Sequence, residues 1–205
     1  ADISFVFGLS TDKPLVGDFD NGKIDTPAIT RTNQWFLKNT NSTGEADANF
    51  VYGNPTGDQQ LLCDWDGDGI STPGMYRDGV FYLRNSNTTG EADISFAYGT
   101  PGMKAICGDW DGDSKDTVGV VDGNHVYLRN SNTTGVGEIS FIYGNAGEQF
   151  IAGDWDGDSK DSIGVFRDGN FYLRNANSTG EADLSVSFGQ TGDTALAGDW
   201  TGEGK

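Results

Sequence analysis

The chain has 205 residues, enough for one domain with a sizeable core or two small ones. With Gly 31, Phe 12, Tyr 7 and Trp 5 against Lys+Arg 13, it is turn-dense and aromatic-rich, which favours many short strands; no window reads as a helix. Asp+Glu 31 gives a formal net charge of -18, a field that repels nucleic-acid phosphates and anionic membrane surfaces, weighs against nucleic acid as a partner, and attracts cations.

Acidic composition can accompany disorder, but disordered chains lack the aromatic and β-branched residues that here recur at fixed positions. No apolar run approaches the ~18 residues of a membrane span. The sequence opens on a strand pattern without a basic and then apolar leader, as expected of an exported protein whose signal has been removed.

Taken in chain order, residues 3–8 carry the pattern of a fourth strand, and a self-similar series then begins. Its plainest marker is an aspartate after a small apolar strand: Asp18, Asp64, Asp109, Asp154 and Asp199, spaced by 46, 45, 45 and 45 residues. The extra residue falls in the connection 53–60, where a surface loop absorbs it. The units span approximately residues 1–45, 46–91, 92–136 and 137–181, with a partial unit at 182–205, in a single repeat domain. A strand-rich period of this length points to propellers rather than helical solenoids.

The third unit shows the layout, with strand patterns at residues 105–110, 117–121, 125–130 and 139–143. The second and third strands are joined through Asp122-Gly123-Asn124, as Asp78-Gly79 and Asp168-Gly169 join theirs, and Asp-Gly between short apolar runs signals a tight hairpin. Phe36, Tyr82, Tyr127 and Tyr172 form one column of the third strand and Leu37, Leu83, Leu128 and Leu173 the next. Adjacent columns face opposite ways, so both faces of each unit are apolar, as a blade between two others requires. The expected fold is all-β: a β-propeller-type array of four-stranded antiparallel blades, four complete units with partial blades at both ends.

Residues 195–200 match a first strand. A propeller ring closes by completing one blade from both termini, and here that blade would lack its second and third strands. The expectation is open ends with bare terminal faces, continued by a longer chain or by head-to-tail neighbours. The alternative is a reduced fifth blade in which residues 3–8 pair with residues 195–200.

The chemistry gathers between the first and second strands. Asp64, Asp66 and Asp68, then Asp109, Asp111 and Asp113, then Asp154, Asp156 and Asp158 place carboxylates at loop positions 1, 3 and 5, with Gly69, Ser114 or Ser159 at position 6. That arrangement lets a tight turn wrap oxygen ligands around Ca2+, a hard cation that takes 6–8 oxygens. A lone Asp-Gly-Asp segment would read equally well as a polar turn. Three full copies at one place in the repeat favour calcium. Asp116 and Asp161 follow at position 8 as further candidate ligands. The first copy, with Asp18, Asp20 and Asp25, has Gly22 at position 5 and is expected to be weaker or empty; the last, after Asp199, has Thr201 at position 3.

On these loops and this period the units resemble the FG-GAP and VCBS-type repeats of bacterial extracellular proteins and, more distantly, the calcium blades of integrin α-subunit propellers. The resemblance covers essentially the whole chain. Its loop, Asp-x-Asp-x-Asp-Gly-x-x-Asp, carries over onto the three aspartate trios, while Thr72, Thr117 and Ser162 stand where its last Asp would be. It implies a calcium-rigidified, secreted, non-catalytic propeller used for adhesion or recognition, with a glycan or cell-surface protein as partner. A self-assembling structural repeat, or an accessory domain of a larger secreted enzyme, are the alternatives.

Cys63 and Cys107 are too few for a disulfide scaffold and read as small buried apolar residues. Trp65, Trp110, Trp155 and Trp200 are expected to pack between blades rather than stack on sugars. Lys38, Arg84, Arg129 and Arg174 are expected in partly exposed ion pairs. Asn41, Asn87, Asn132 and Asn177 sit in glycosylation-type triplets but read as turn formers. The sole histidine, His125, has no catalytic partner, and no nucleophile or phosphate-loop motif appears, so an enzyme is not expected.

Overall fold

The computed structural model describes residues 2–204. Blade one comprises β1 (Lys13–Gly17), β2 (Thr26–Arg31), β3 (Gln34–Leu37) and β4 (Ala48–Val51); blade two β5 (Gln59–Cys63), β6 (Thr72–Arg77), β7 (Val80–Leu83) and β8 (Ile94–Ala97). Blade three holds β9 (Lys104–Gly108), β10 (Thr117–Asp122), β11 (His125–Leu128) and β12 (Ile139–Ile142); blade four holds β13 (Gln149–Gly153), β14 (Ser162–Arg167), β15 (Asn170–Leu173) and β16 (Leu184–Ser187). Each blade is a four-stranded antiparallel meander in sequence order, so the chain is an all-β propeller.

The hairpins follow from local chemistry. Arg77 pairs with Val80 and Arg167 with Asn170, leaving Asp78-Gly79 and Asp168-Gly169 as two-residue turns whose residues all have positive φ, the geometry matched to strand twist. In blade three Asp122 pairs with His125, so the turn is Gly123-Asn124, at the same repeat position as Asp78-Gly79 and Asp168-Gly169, and the Asp-Gly pair of this blade begins one residue before it.

Burial ranks the strands. The first five residues of β2, β6, β10 and β14 are all buried, whereas each of the outer strands β4, β8 and β12 buries a single phenylalanine, Phe50, Phe96 or Phe141. The core lies between blades. Trp35, Leu37, Phe50 and Tyr52 of blade one pack on Leu62 and Met75 of blade two; Phe81, Leu83, Phe96 and Tyr98 pack on Ala105, Val118 and Val120; Val126, Leu128, Phe141 and Tyr143 pack on Ile163 and Val165. In the second strand a small residue makes room: a Cβ at Gly119 would lie 2.7 Å from Leu128 Cδ2 and 2.9 Å from Ile106 Cγ1.

A backbone bond ties each blade to the next. Ser71 N–H donates to the Asp18 carbonyl (2.6 Å), Asp116 to Asp64 (2.8 Å) and Asp161 to Asp109 (2.7 Å). The same bond joins the two ends of the chain, from Asp25 N–H to the Asp199 carbonyl at 2.8 Å. Residues 195–200 thus stand as the inner segment of a fifth ring position. Ala195 N–H also reaches Gln149 Oε1 at 2.9 Å, as Ala105 N–H reaches Gln59 Oε1 at 2.9 Å between blades two and three.

Residues 3–8 take the outer place at the same position. Val6 N–H donates to Thr43 Oγ1, as Val51 does to Thr89 and Ile142 to Thr179. Gly8 lies against Ile29 as Gly53 lies against Met75 and Gly144 against Val165. The ends therefore meet at one ring position, which corrects the expectation of two separate ends, while the apolar face of blade four beside that position, with Phe188 and Val186, stays exposed. No ladder pairs the two segments with each other, so the reduced blade is not formed either. Inner segments from all five positions surround a central cavity of about 500 Å³.

A second correction concerns the cysteines. Cys63 and Cys107 form a disulfide between β5 and β9, the inner strands of neighbouring blades, and among the described residues no cysteine is free. The two are offset by one residue within the repeat, Cys63 one residue before Asp64 and Cys107 two before Asp109. It is the sideways packing of inner strands around the ring that brings the two sulfurs together.

Candidate metal centres

The loops between first and second strands share one scaffold. Asp64 Oδ1 accepts the N–H groups of Gly67 (2.8 Å) and Asp68 (3.2 Å), and its Oδ2 accepts that of Gly69 (2.7 Å). Asp109 accepts the same bonds from Gly112, Asp113 and Ser114, and Asp154 from Gly157, Asp158 and Ser159. A short side chain that can turn back on its own backbone is what makes Asp the residue of this place. Positions 4 and 6 are left-handed, φ 82° at Gly112 and 68° at Ser114, which tightens the loop.

The scaffold gathers the carboxylates. In each trio, Asp64 with Asp66 and Asp68, Asp109 with Asp111 and Asp113, and Asp154 with Asp156 and Asp158, oxygens lie within 4.8 Å of one another; the first member is half-buried and the other two are exposed. Asp68, Asp113 and Asp158 each spend one oxygen on the N–H two residues on. Like charges this close repel by about 1 kcal/mol per pair even in water. Burial also pushes the Asp64 carboxyl above its usual range. The donor set is all oxygen, clustered and anionic. It suits a hard cation such as calcium and offers none of the sulfur or nitrogen donors typical of zinc.

The first loop has the fold of the others without their charge. Asp18 accepts from Asp20, Gly22 and Lys23, and Lys23 holds φ 64°, but Gly22 brings no carboxylate, leaving Asp18 and Asp20. Asp199 likewise organises Thr201, Gly202, Glu203 and Gly204.

Asp116, Asp161 and Asp25 lie elsewhere. Asp116 Oδ2 accepts the N–H of Asp64 at 2.7 Å, Asp161 Oδ2 that of Asp109 at 2.9 Å, and Asp25 Oδ2 that of Asp199 at 2.7 Å. Each carboxylate thus holds the loop of the preceding ring position, and none joins the trio of its own loop. Burial raises Asp25 and Asp161 to about 6, and burial together with the charge of Asp161 raises Asp116 well above the carboxylate range. This role escaped sequence reasoning, although its signal was present: Asp25, Ser71, Asp116 and Asp161 hold one repeat position with hydrogen-bonding side chains throughout.

Other recurring residues support the loops. The Nδ2 groups of Asn41, Asn87, Asn132 and Asn177 donate to the carbonyls of Asp25, Ser71, Asp116 and Asp161, which makes them structural, as turn formers should be. Arg129 donates to the carbonyls of Thr133 (2.7 Å) and Val136 (2.6 Å), closing its loop, and meets Glu138 at 3.1 Å; Arg84 and Arg174 act in the same way. Each of the four cations also makes the partly exposed ion pair expected of it, Lys38 with Asp47 and Arg84 with Asp93 at 4.0 Å, Arg129 with Glu138 and Arg174 with Asp183 at 3.1 Å. Trp65 and Trp110 are buried between blades, and Trp65 Nε1 donates to the Thr72 carbonyl; Trp200 is exposed. His125 is exposed beside its turn.

No helix among the described residues is long and apolar enough to cross a membrane. No family model and no curated protein matches the chain. Among solved structures it is similar to BBS1N, in a crystal structure of its complex with ARL6DN soaked with lead. That similarity has a TM-score of 0.41 at 11% identity and covers 91% of this chain and 58% of that one.

Proposed function

We propose that this chain is a calcium-stabilised, non-catalytic propeller module of an extracellular binding or adhesion protein. The carrying observation is the triple recurrence of an aspartate trio with oxygens within 4.8 Å, at one place in three successive blades. Asp64, Asp66 and Asp68, with the equivalent residues of the next two loops, would hold the ions. Bound calcium would neutralise each trio and clamp the first strand of a blade to its second. The resemblance to extracellular calcium repeats points the same way, and so does the Cys63–Cys107 disulfide, a bond at home in oxidising compartments. Ligand recognition, of a glycan or a surface protein, falls to the loops at the blade ends, held in place by a rigid scaffold.

Titration calorimetry with calcium tests this reading. It should find three ions per chain, one lost with each of Asp66→Asn, Asp111→Asn and Asp156→Asn, none of which touches the backbone scaffold. No binding heat, together with a melting temperature indifferent to calcium and to chelator, would overturn it.

A further inference from the structure

The junction between blades one and two departs from the next two in sequence as well as in packing. Thr30 stands where β6, β10 and β14 carry Tyr76, Val121 and Phe166, and Gln60 where β9 and β13 carry Ala105 and Phe150. The connection from Tyr52 to β5 is also one residue longer than those from Tyr98 to β9 and from Tyr143 to β13. At the next two junctions the corresponding space is filled. Between blades two and three the Gln59 side chain exchanges two hydrogen bonds with the Ala105 backbone, and the Tyr76 hydroxyl donates to the Thr100 carbonyl at 2.9 Å. Between blades three and four Val121 and Phe150 join one apolar cluster.

The smaller Thr30 and the longer connection leave a cavity of about 350 Å³, walled by Lys13 and Thr32 of blade one and by Asn54, Thr56 and Gln60 of blade two. Thr30 is 1% exposed, and its hydroxyl lines this cavity with no partner in the protein. A buried polar group left this way takes its partner from outside the chain, from water or a ligand. Lys13 is the neighbour of Thr30 across the β1–β2 pair. Its ammonium donates one of three protons to Gln60 Oε1 at 3.0 Å, and Gln60 Nε2 donates to the Thr32 carbonyl at 3.2 Å, so the wall is tied across both blades. The connection is held as well: the fully buried Asp58 carboxylate accepts the Asn54 N–H at 2.6 Å and pairs with Arg77.

The lining decides what can occupy the cavity, whose volume is at the small end of the roughly 300–1,000 Å³ of small-molecule sites. Among the described residues that line it none is aromatic, so a nucleobase has nothing to stack on. The one carboxylate among them, Asp58, is neutralised by Arg77 and leaves a cationic ligand without a partner. A single lysine in a chain of net charge -18 is a poor holder of phosphate. What the walls offer is hydroxyls, amides and one ammonium, which suit a ligand whose own polar groups are neutral hydroxyls. We propose that this pocket binds one neutral sugar residue of a glycan, with a sugar hydroxyl donating to Thr30 Oγ1 at the floor and others accepting from Lys13 and Asn54. The site rests on the reading of the module as one that recognises a glycan. It lies at the ends of β1 and β5 away from the aspartate loops, so sugar and calcium are tested separately.

Glucose, galactose, mannose and N-acetylglucosamine are titrated singly into the full chain at saturating calcium and read by calorimetry, with glucuronate and N-acetylneuraminate as charged comparators. We expect a neutral sugar to bind with one site per chain and an affinity in the millimolar range or tighter. Thr30→Val, which keeps the shape of the side chain and removes only the unpartnered hydroxyl, should weaken binding about tenfold without lowering the melting temperature. Lys13→Met, at the exposed rim, should weaken it too, and Thr30→Tyr, which installs the side chain of blade two, should abolish it. Calcium binding should be the same in all three variants. The sugar site falls if no neutral sugar gives heat while calcium still binds, if Thr30→Val binds as the parent chain does, or if only the charged sugars bind. Sugar binding that persists in a chain that takes up no calcium would support the pocket and overturn the calcium reading instead.

Discussion

Asp25 and Asp199, 174 residues apart, exchange two hydrogen bonds: the N–H of Asp25 donates to the Asp199 carbonyl, and the Asp25 carboxylate accepts the N–H of Asp199 at 2.7 Å. The same pair of bonds joins blade one to two, two to three and three to four, so this one is the clasp by which the end of the chain meets its beginning. Asp25→Ala strands the Asp199 N–H, and a buried donor left without a partner costs about 1–3 kcal/mol. We expect a loss near the lower end, because Asp199 keeps its bond from the Asp25 backbone. The diagnostic readout is local: limited proteolysis should cut residues 195–204 faster in Asp25→Ala but not in Asp161→Ala, which loosens an interior junction instead.

The disulfide should contribute much of the chain's stability. Cys63 and Cys107 are separated by 44 residues, and closing a loop of that length removes unfolded-state entropy worth about 4 kcal/mol at room temperature. The double variant Cys63→Ser, Cys107→Ser should lose stability of that order in urea unfolding. Alkylation of the oxidised protein under denaturing, non-reducing conditions should label no thiol. Labelling of both would contradict the bond.

The carboxylates of Asp25, Asp116 and Asp161 set the pH dependence in chelator. All three titrate above their unfolded value, Asp25 and Asp161 at about 6. Between about pH 4 and pH 6 the folded state therefore binds more protons than the unfolded one, and stability must fall as pH rises through that window. Asp12 and Asp199, held below the usual range, act in the opposite sense only below about pH 4. Urea midpoints without calcium should be higher at pH 4.5 than at pH 7. Asp161→Asn, which keeps an oxygen for the Asp109 N–H, should flatten that slope.

What the sequence made legible was whatever repeats locally. The strands of each blade, the Asp-Gly turns and the carboxylate trios all rest on interactions within a few residues, and they lie where the period puts them. What it hid depends on neighbours in the ring. The Cys63–Cys107 bond, the Asp116–Asp64 and Asp161–Asp109 bonds and the Asp25–Asp199 clasp all link different ring positions; the recurrence of Asp25, Ser71, Asp116 and Asp161 at one repeat position marks the last three, but not which neighbour each one holds. The arginines were legible in part: the ion pair of Arg129 with Glu138 follows from the abundance of nearby carboxylates, whereas its bonds to the carbonyls of Thr133 and Val136 depend on how the loop folds back on itself.

The first loop separates scaffold from charge. Asp18 holds it as Asp64 holds the second, and Lys23 takes the left-handed conformation of Ser114, yet Gly22 stands where the others carry an aspartate. If the third carboxylate is what makes a site, Gly22→Asp should add a fourth calcium ion to the chain, and Asp113→Gly should remove one of three. A Cβ at Gly22 would lie 2.7 Å from Asp20 Oδ1, the end of an exposed side chain that can swing aside at the cost of its bond from the Gly22 N–H, and the φ of Gly22 is not in the left-handed region, so the backbone is not strained. Each site filled only in the folded state stabilises by about 2.7 kcal/mol when free calcium is 100 times its dissociation constant. Gly22→Asp should therefore melt higher than the parent chain in calcium and, with one more repelling carboxylate, lower in chelator. A variant that melts the same as the parent in both conditions, with calorimetric stoichiometry unchanged, would show that the trio is not what holds the ion.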